Sequence, residues 1–348
     1  MTASPGRPLF GVELHEYLDA PTILEEVRLA EEVGYDAVWL GDSQLIWREL
    51  YVLLGAAAAS TSRVTLGSGV TNPITRDPAV TASALVTLQE LAPGRIIAGI
   101  GVGDSALAVL GRQPAPMSQL ERTVREIRGL AEGGEVDRDG TTMRLTFGVP
   151  GGCPPIVIGA SGPRMLELAG RIGDGVIVTR QARAGPTLTA MLGNVQAGRL
   201  ARDETVRPFR VCLSAAAAVH PSGTPAIHAV RPHVASTLRA RIHWPLSDAA
   251  SNARDRIAAA YDFYQHMDPA AVHATLVPDD VVTQFAIAGT AEQCVGQAQA
   301  LFDAGVDEIT IRPYGVDGGS RADTIRAFAE QVMRPLLESL AVRSGAPE

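Results

Sequence analysis

The chain contains no lysine, so all 30 of its Lys or Arg positions are arginines. This excludes Schiff-base aldol chemistry and pyridoxal-phosphate catalysis, which need a lysine amine, and a P-loop, whose lysine reaches the nucleotide phosphates. Cysteine is scarce: Cys153, Cys212 and Cys294 stand far apart, with no C-x-x-C pair, so neither a disulfide framework nor a dithiol redox centre is expected. Positive charge is also short. A net charge of -8 gives no electrostatic footprint for nucleic acid. Six of the seven histidines (His220, His228, His233, His243, His266 and His273) fall in one region without H-x-H or H-E-x-x-H spacing, so no metal site is expected. No apolar run approaches the roughly 18 residues that mark a membrane span, and Met1-Thr-Ala-Ser-Pro-Gly6 lacks a basic, apolar leader, which predicts a cytoplasmic chain.

What is present is hydrophobic residue content of 46% over 348 residues, enough for a large core. A single α/β barrel commonly occupies about 250 residues, and more with insertions. Short β-rich runs alternate with helical periodicity, the pattern of a parallel sheet with helical crossovers. Strands are predicted at Leu9 to Leu14, Ala37 to Leu40, Val64 to Ser68, Ile96 to Ile100, Ile156 to Ile158, Val176 to Val178, Phe209 to Ala216 and Glu308 to Arg312. Helices are predicted from Pro21 to Val33, stopped by Gly34, from Pro78 to Leu91, and from Ala291 to Ala304. Eight strands predict a TIM (β/α)8 barrel forming one domain over 1–348. The rhythm breaks over 181–280, which reads as a helical insertion near strand seven, placed over the barrel mouth where such folds carry their active sites.

Candidate site residues gather at the C-terminal strand ends. Alternation on the first strand puts Phe10, Val12 and Leu14 on the helix side and turns Gly11 and Glu13 into the barrel, with His15 just beyond. Glu13 is then either a hydrogen-bonded structural carboxylate or an acid of the substrate site. Asp42, in Gly41-Asp-Ser43, either caps the next helix or joins the same rim. Two glycines within Gly67-Ser-Gly-Val-Thr-Asn-Pro73 suggest a bulge. With Gly99, Gly101 and Gly103 they leave strand ends without side chains, against which a flat ligand is expected to lie. Gly159-Ala-Ser-Gly-Pro163 opens a helix and reads either as a plain turn or as an anion cradle built on the Ser161 and Gly162 amides.

Together Gly67 to Pro73, Asp77-Pro-Ala-Val-Thr-Ala-Ser-Ala84, Gly99-Ile-Gly-Val-Gly-Asp104, Gly159 to Pro163 with Ala169-Gly170 and Asp174-Gly175, and Phe285-Ala-Ile-Ala-Gly-Thr290 resemble the luciferase-like superfamily of flavin- and deazaflavin-dependent oxidoreductases, in its methylenetetrahydromethanopterin reductase branch. The resemblance covers most of the chain outside the insertion. It implies coenzyme F420 at the barrel mouth and a non-prolyl cis peptide, Gly69 to Val70, behind its ring. The cofactor set it implies is Asp42, Ser43, Ser68, Gly69, Val70, Thr71, Asn72, Gly101, Gly103, Asp104, Gly159, Ala160, Ser161 and Gly162. The implied activity is hydride transfer between reduced deazaflavin and a C=N, C=C or C=O carbon of a small molecule. Glu13 matches a glutamate of the branch's substrate site. Asp42 matches the aspartate of an Asp-His pair whose histidine, a candidate proton donor in related enzymes, is Ser43 here, leaving the acid-base work to Glu13 or His15. A homodimer through the early barrel helices is also implied. Ala56-Ala-Ala-Ala59 permits close helix approach there, although core packing explains it equally well. The alternatives are an FMN-dependent monooxygenase of the same superfamily and a non-catalytic flavin-binding relative.

Overall fold

The computed structural model describes residues 7–15, 17–202, 208–240, 242–262, 265 and 270–344. His266, counted above, lies outside them.

Eight parallel strands close into a barrel: β1 (Leu9–Leu14), β2 (Ala37–Leu40), β3 (Thr65–Ser68), β4 (Ile96–Ile100), β7 (Ile156–Ala160), β8 (Gly175–Val178), β9 (Arg210–Val219) and β11 (Glu308–Pro313), with β8 paired to β9 and β11 to β1. All eight lie where the β-rich runs predict them. Three further strands were not anticipated. β5 (Val136–Arg138) and β6 (Thr141–Met143) form a separate antiparallel ribbon. β10 (Ala286–Gly289) pairs only with the far half of β9, from Ala286 beside Ala216 to Gly289 beside Val219.

Local chemistry sets the helix limits. Asp19 accepts the Thr22 amide at 3.1 Å to start helix Ala20–Val33, and Gly34 closes it in the left-handed region at φ 98°. Thr290 and Gln293 form a reciprocal capping box on Ala291–Asp303. Helix Pro186–Leu200, inside the segment that the sequence marks as irregular, packs on Pro163–Ile172 as an ordinary barrel helix. The glycines Gly170 and Gly198 permit the contact, since a Cβ on either would lie about 2 Å from a carbonyl oxygen of the facing helix. The extra elements of that segment therefore follow β9. They include helices Arg231–Arg239, Asp248–Ala260 and Asp279–Phe285, which bury Val234, Leu238, Ile257 and Val281 against Ala216 and Ala218 of β9 and Ala286 and Ala288 of β10.

Inside the barrel, Ala37, Trp39, Ile97, Val157, Ile177 and Cys212 pack together. Trp39 fits because Gly67 faces it: a Cβ there would lie 2.4 Å from the indole. Beneath the indole the fully buried Glu308 accepts from Trp39 Nε1 at 2.8 Å and Thr310 Oγ1 at 2.9 Å, and Arg210 Nη1 lies 3.2 Å from its other oxygen. That neutralised network satisfies a carboxylate whose isolation would be costly.

Candidate functional site

The alternation on β1 is observed. Phe10, Val12 and Leu14 join the core beneath the helices, and Glu13 points inward at 5% exposure. Arg312 of β11 places Nε 2.8 Å from Glu13 Oε1, Ser214 of β9 donates to Oε2 at 2.6 Å, and His15 Nε2 lies 3.4 Å from Oε1. Burial pushes the Glu13 carboxyl up, but the Arg312 charge and the His15 and Ser214 contacts outweigh it and hold the group down at about 2. Glu13 is thus an anion at neutral pH. The His15 ring stacks on Trp47 at 4.7 Å and 16°, and Arg321 Nη1 holds its carbonyl at 2.5 Å. Burial lowers the His15 pKa from 6.5, and Glu13 only partly opposes it against Arg312 and Arg321, so the ring is neutral at pH 7.

The peptide joining Gly69 to Val70, just past β3, is cis, at the position the resemblance implies. Gly69 donates to Leu40 O at 2.6 Å, while Thr71 pairs with β4 through Gly99 O and Gly101 N, both at 2.9 Å. The bulge is therefore fixed to both neighbouring strands. A Cβ on Gly69 would sit 3.8 Å from the Glu13 carboxyl carbon, so a side chain there would come into contact with the carboxylate. Asp42 accepts from Thr71 Oγ1 at 2.7 Å and from Arg76 Nε at 3.3 Å. It braces the bulge instead of capping the helix that follows, where Glu49 is the cap. Ser43 and Ser105 share a hydrogen bond at 2.6 Å, joining the loops after β2 and β4.

The glycines are in the right places, but the expectation of bare backbone does not hold for Gly67, Gly99, Gly101 or Gly103. The space at each is taken by the chain itself: the Trp39 ring at Gly67, Ser68 O at Gly99, Val70 Cγ2 at Gly101 and Leu107 Cδ1 at Gly103. Gly101, with Gly159, lets Val70 lean across the barrel. Asn72 folds its amide into its own turn, accepting from the Ile74 and Thr75 amides at 3.0 Å. Asp104 faces outward, within 3.2 Å of Arg180 Nη2. At the end of β7, Ala160 is buried, Ser161 O accepts from Trp244 Nε1 at 2.7 Å, and Gly162 faces the His243 ring. His233, on the same long connection, lies 6.2 Å from Tyr314 at the end of β11. Residues following β9 thus reach both β7 and β11 at the mouth.

A cavity of about 660 Å³ opens beside Glu13, His15 and Arg312, lined further by Tyr17, Tyr314 and the Gly315 to Ser320 turn. It runs between the first helix and helix Arg321–Phe328. Sequence reading assigned nothing to Arg312, Ser214 or Trp47. Only the inward parity of β9 and β11 signalled the first two, and Trp47 carried no local signal. Among the described residues, no three His, Cys, Asp or Glu side chains gather as metal ligands, and no helix is long and apolar enough to cross a membrane.

Comparison with known proteins places this geometry. The family model described as luciferase-like monooxygenase matches residues 8–308. A 5,10-methylenetetrahydromethanopterin reductase from Archaeoglobus fulgidus is 31% identical over 323 residues, covering 88% of this chain and 94% of that protein. An F420-dependent glucose-6-phosphate dehydrogenase from Amycolatopsis mediterranei is 27% identical over 340 residues, covering 91% and 95%. Among solved structures, the coenzyme F420-dependent tetrahydromethanopterin reductase of Methanopyrus kandleri superposes with a TM-score of 0.80 at 24% identity, over 95% of this chain and all of that one, which supports the barrel. The chain belongs to the luciferase-like monooxygenase family.

Proposed function

We propose that this protein is a coenzyme F420-dependent oxidoreductase that exchanges a hydride with a small molecule at the barrel mouth. Its likeness to F420-dependent reductases and dehydrogenases supports the reading. The observation that carries it is the bulge after β3, tied by backbone hydrogen bonds to Leu40, Gly99 and Gly101 and braced by Asp42 through Thr71, at the same barrel mouth as the ionised Glu13. The residues present fit a flat apolar ring: Gly101 and Gly159 leave the space that Val70 fills, so Val70 forms an apolar ledge beside the ends of β4 and β7. The coenzyme, when bound, supplies a two-electron hydride donor or acceptor carbon.

The chain's own residues bind, orient and handle protons. Ser68, Gly69, Val70, Thr71 and Asn72 would back the ring, with Asp42 bracing Thr71 and Ser43 joining the adjoining loop. Gly101, Gly103 and Asp104 would border it on one side. Gly159, Ala160, Ser161 and Gly162 would receive the anionic side chain at the start of helix Pro163–Ile172. Glu13, Asp42 and His15 are the polar groups of the reaction, and the segment after β9, through His243 and Trp244, would exclude water over the mouth. The protein is further read as cytoplasmic, and as homodimeric since the helices Leu50–Ser60 and Pro78–Leu91 expose Val52, Val80 and Leu91.

Oxygen uptake measured against substrate reduction, with reduced F420 and reduced FMN in parallel, tests the reading. Substrate reduction with F420 and no oxygen uptake is expected. Oxygen consumption with FMN alone would make the protein a monooxygenase, and binding without turnover would make it a non-catalytic flavin binder.

A further inference from the structure

Two residues of the long connection after β9 meet the barrel where β7 ends. Trp244 Nε1 donates to Ser161 O at 2.7 Å, and the His243 ring lies so close to Gly162 that a Cβ there would come within 2.9 Å of it. The short stretch that carries them is divided between two cores. Ile242 and Leu246 pack with the cluster formed by the extra helices, whereas Trp244 between them turns away and packs on the main barrel core. The connection is thus pinned to the opening of helix Pro163–Ile172 by an indole whose single donor goes to a backbone carbonyl.

That opening has little capping of its own. Gly162 is the N-cap and brings no side chain to the task, and Pro163 follows as the first helical residue, without an amide hydrogen. The Ser161–Gly162 peptide is trans, so its carbonyl and its N–H point in opposite directions. Holding the carbonyl on the indole therefore fixes the Gly162 N–H on the side away from Trp244. A carbonyl that accepts a hydrogen bond also makes the N–H of the same peptide the stronger donor.

We propose that Trp244 is a positioning residue for the phosphodiester of the coenzyme's side chain. It acts through the Ser161–Gly162 peptide, whose amide it holds ready for the anion, while His243 closes the turn over Gly162. This rests on the deazaflavin reading and deepens it: the segment after β9 selects the coenzyme by its anionic side chain as well as covering the mouth. The ring end of the site is held separately, by the bonds from the bulge to Leu40, Gly99 and Gly101 and by Asp42 on Thr71. Loss of the indole N–H is therefore felt at the side chain and not at the ring.

Two readouts test it, neither of which needs turnover. The first compares the binding of F420 with that of its ribityl deazaflavin core, which lacks the phosphate and everything beyond it. Trp244→Phe keeps an aromatic ring and removes the N–H. It should weaken F420 about three- to tenfold, the range of a single hydrogen bond, while leaving the affinity for the core and thermal unfolding unchanged. A merely structural indole would affect both ligands alike. The second is indole ¹⁵N–¹H NMR of the wild-type apoprotein, whose three tryptophans are separated by through-bond assignment. The Trp244 signal should move when F420 is added and stay in place when the core is added. Equal loss for both ligands, undiminished F420 affinity in Trp244→Phe, or a Trp244 signal that does not distinguish the two ligands overturns the proposal. If Trp244→Phe does not fold, the wild-type spectra decide alone. Failure of the wild-type protein to bind either ligand removes the deazaflavin reading itself, and the positioning role with it.

Discussion

Replacing Arg312 with Gln strips Glu13 of its main counter-charge while leaving the carboxylate buried. The depression of the Glu13 pKa from 4.5 to about 2, achieved against burial, corresponds to roughly 3 kcal/mol in favour of the charged form. Both side chains are largely shielded, at 5% and 19% exposure, so solvent screening discounts this little. Breaking such a pair from one side costs about 3 to 5 kcal/mol because an uncompensated charge remains. Removing both charges in Glu13→Gln with Arg312→Gln should cost less than the two single losses summed, with a coupling of about 2 kcal/mol. Equilibrium urea unfolding of the four proteins at pH 7 measures it. The sign with pH is fixed: a depressed carboxyl pKa contributes stability above its unfolded value, and this is lost as pH falls from about 4.5 through about 2. The coupling should therefore be present at pH 7 and fade on acidification through that window. Additive single costs, or a coupling unchanged on acidification, would refute the assignment of Glu13 as a paired anion.

Gly67→Ala should destabilise the fold by about 1 to 3 kcal/mol in urea, because the new methyl meets the Trp39 ring at 2.4 Å within a closed barrel. Gly101→Ala meets Val70 Cγ2 at 2.9 Å, with Gly159 O no nearer than 4.0 Å, and should displace the ledge more than the fold. F420 titration should show affinity weakened about tenfold, equivalent to roughly 1.4 kcal/mol, with unfolding little changed. Val52→Glu puts a charge on a side chain 71% exposed, and sedimentation should show a dimer converted to a folded monomer. An unchanged mass would place any self-association elsewhere.

The barrel was legible because its strands are short apolar runs, several of them closed by glycine as at Leu40 before Gly41 and Ile100 before Gly101, and inward or outward parity follows from a period of two. β10 was not. Ala286-Ile-Ala-Gly289 is four residues, three of them small, buried throughout, whose period cannot be told from the end of the preceding helix. Within the site, Glu13, His15, Asp42 and the Gly69–Val70 bulge were legible as positions. Their partners were not, because Arg312, Ser214 and Trp47 reach them only by barrel closure, across 299, 201 and 32 residues of chain respectively. The glycines carried a true signal of close approach, but the sequence does not say which group approaches. At Gly67, Gly99, Gly101 and Gly103 it is Trp39, Ser68, Val70 and Leu107.

The most direct test of the central claim is a paired binding titration of the purified apoprotein with F420 and with FMN, followed by coenzyme fluorescence. F420 should bind stoichiometrically and more tightly than FMN, and Gly101→Ala should weaken it. Tighter binding of FMN, or no saturable binding of F420, would contradict the account.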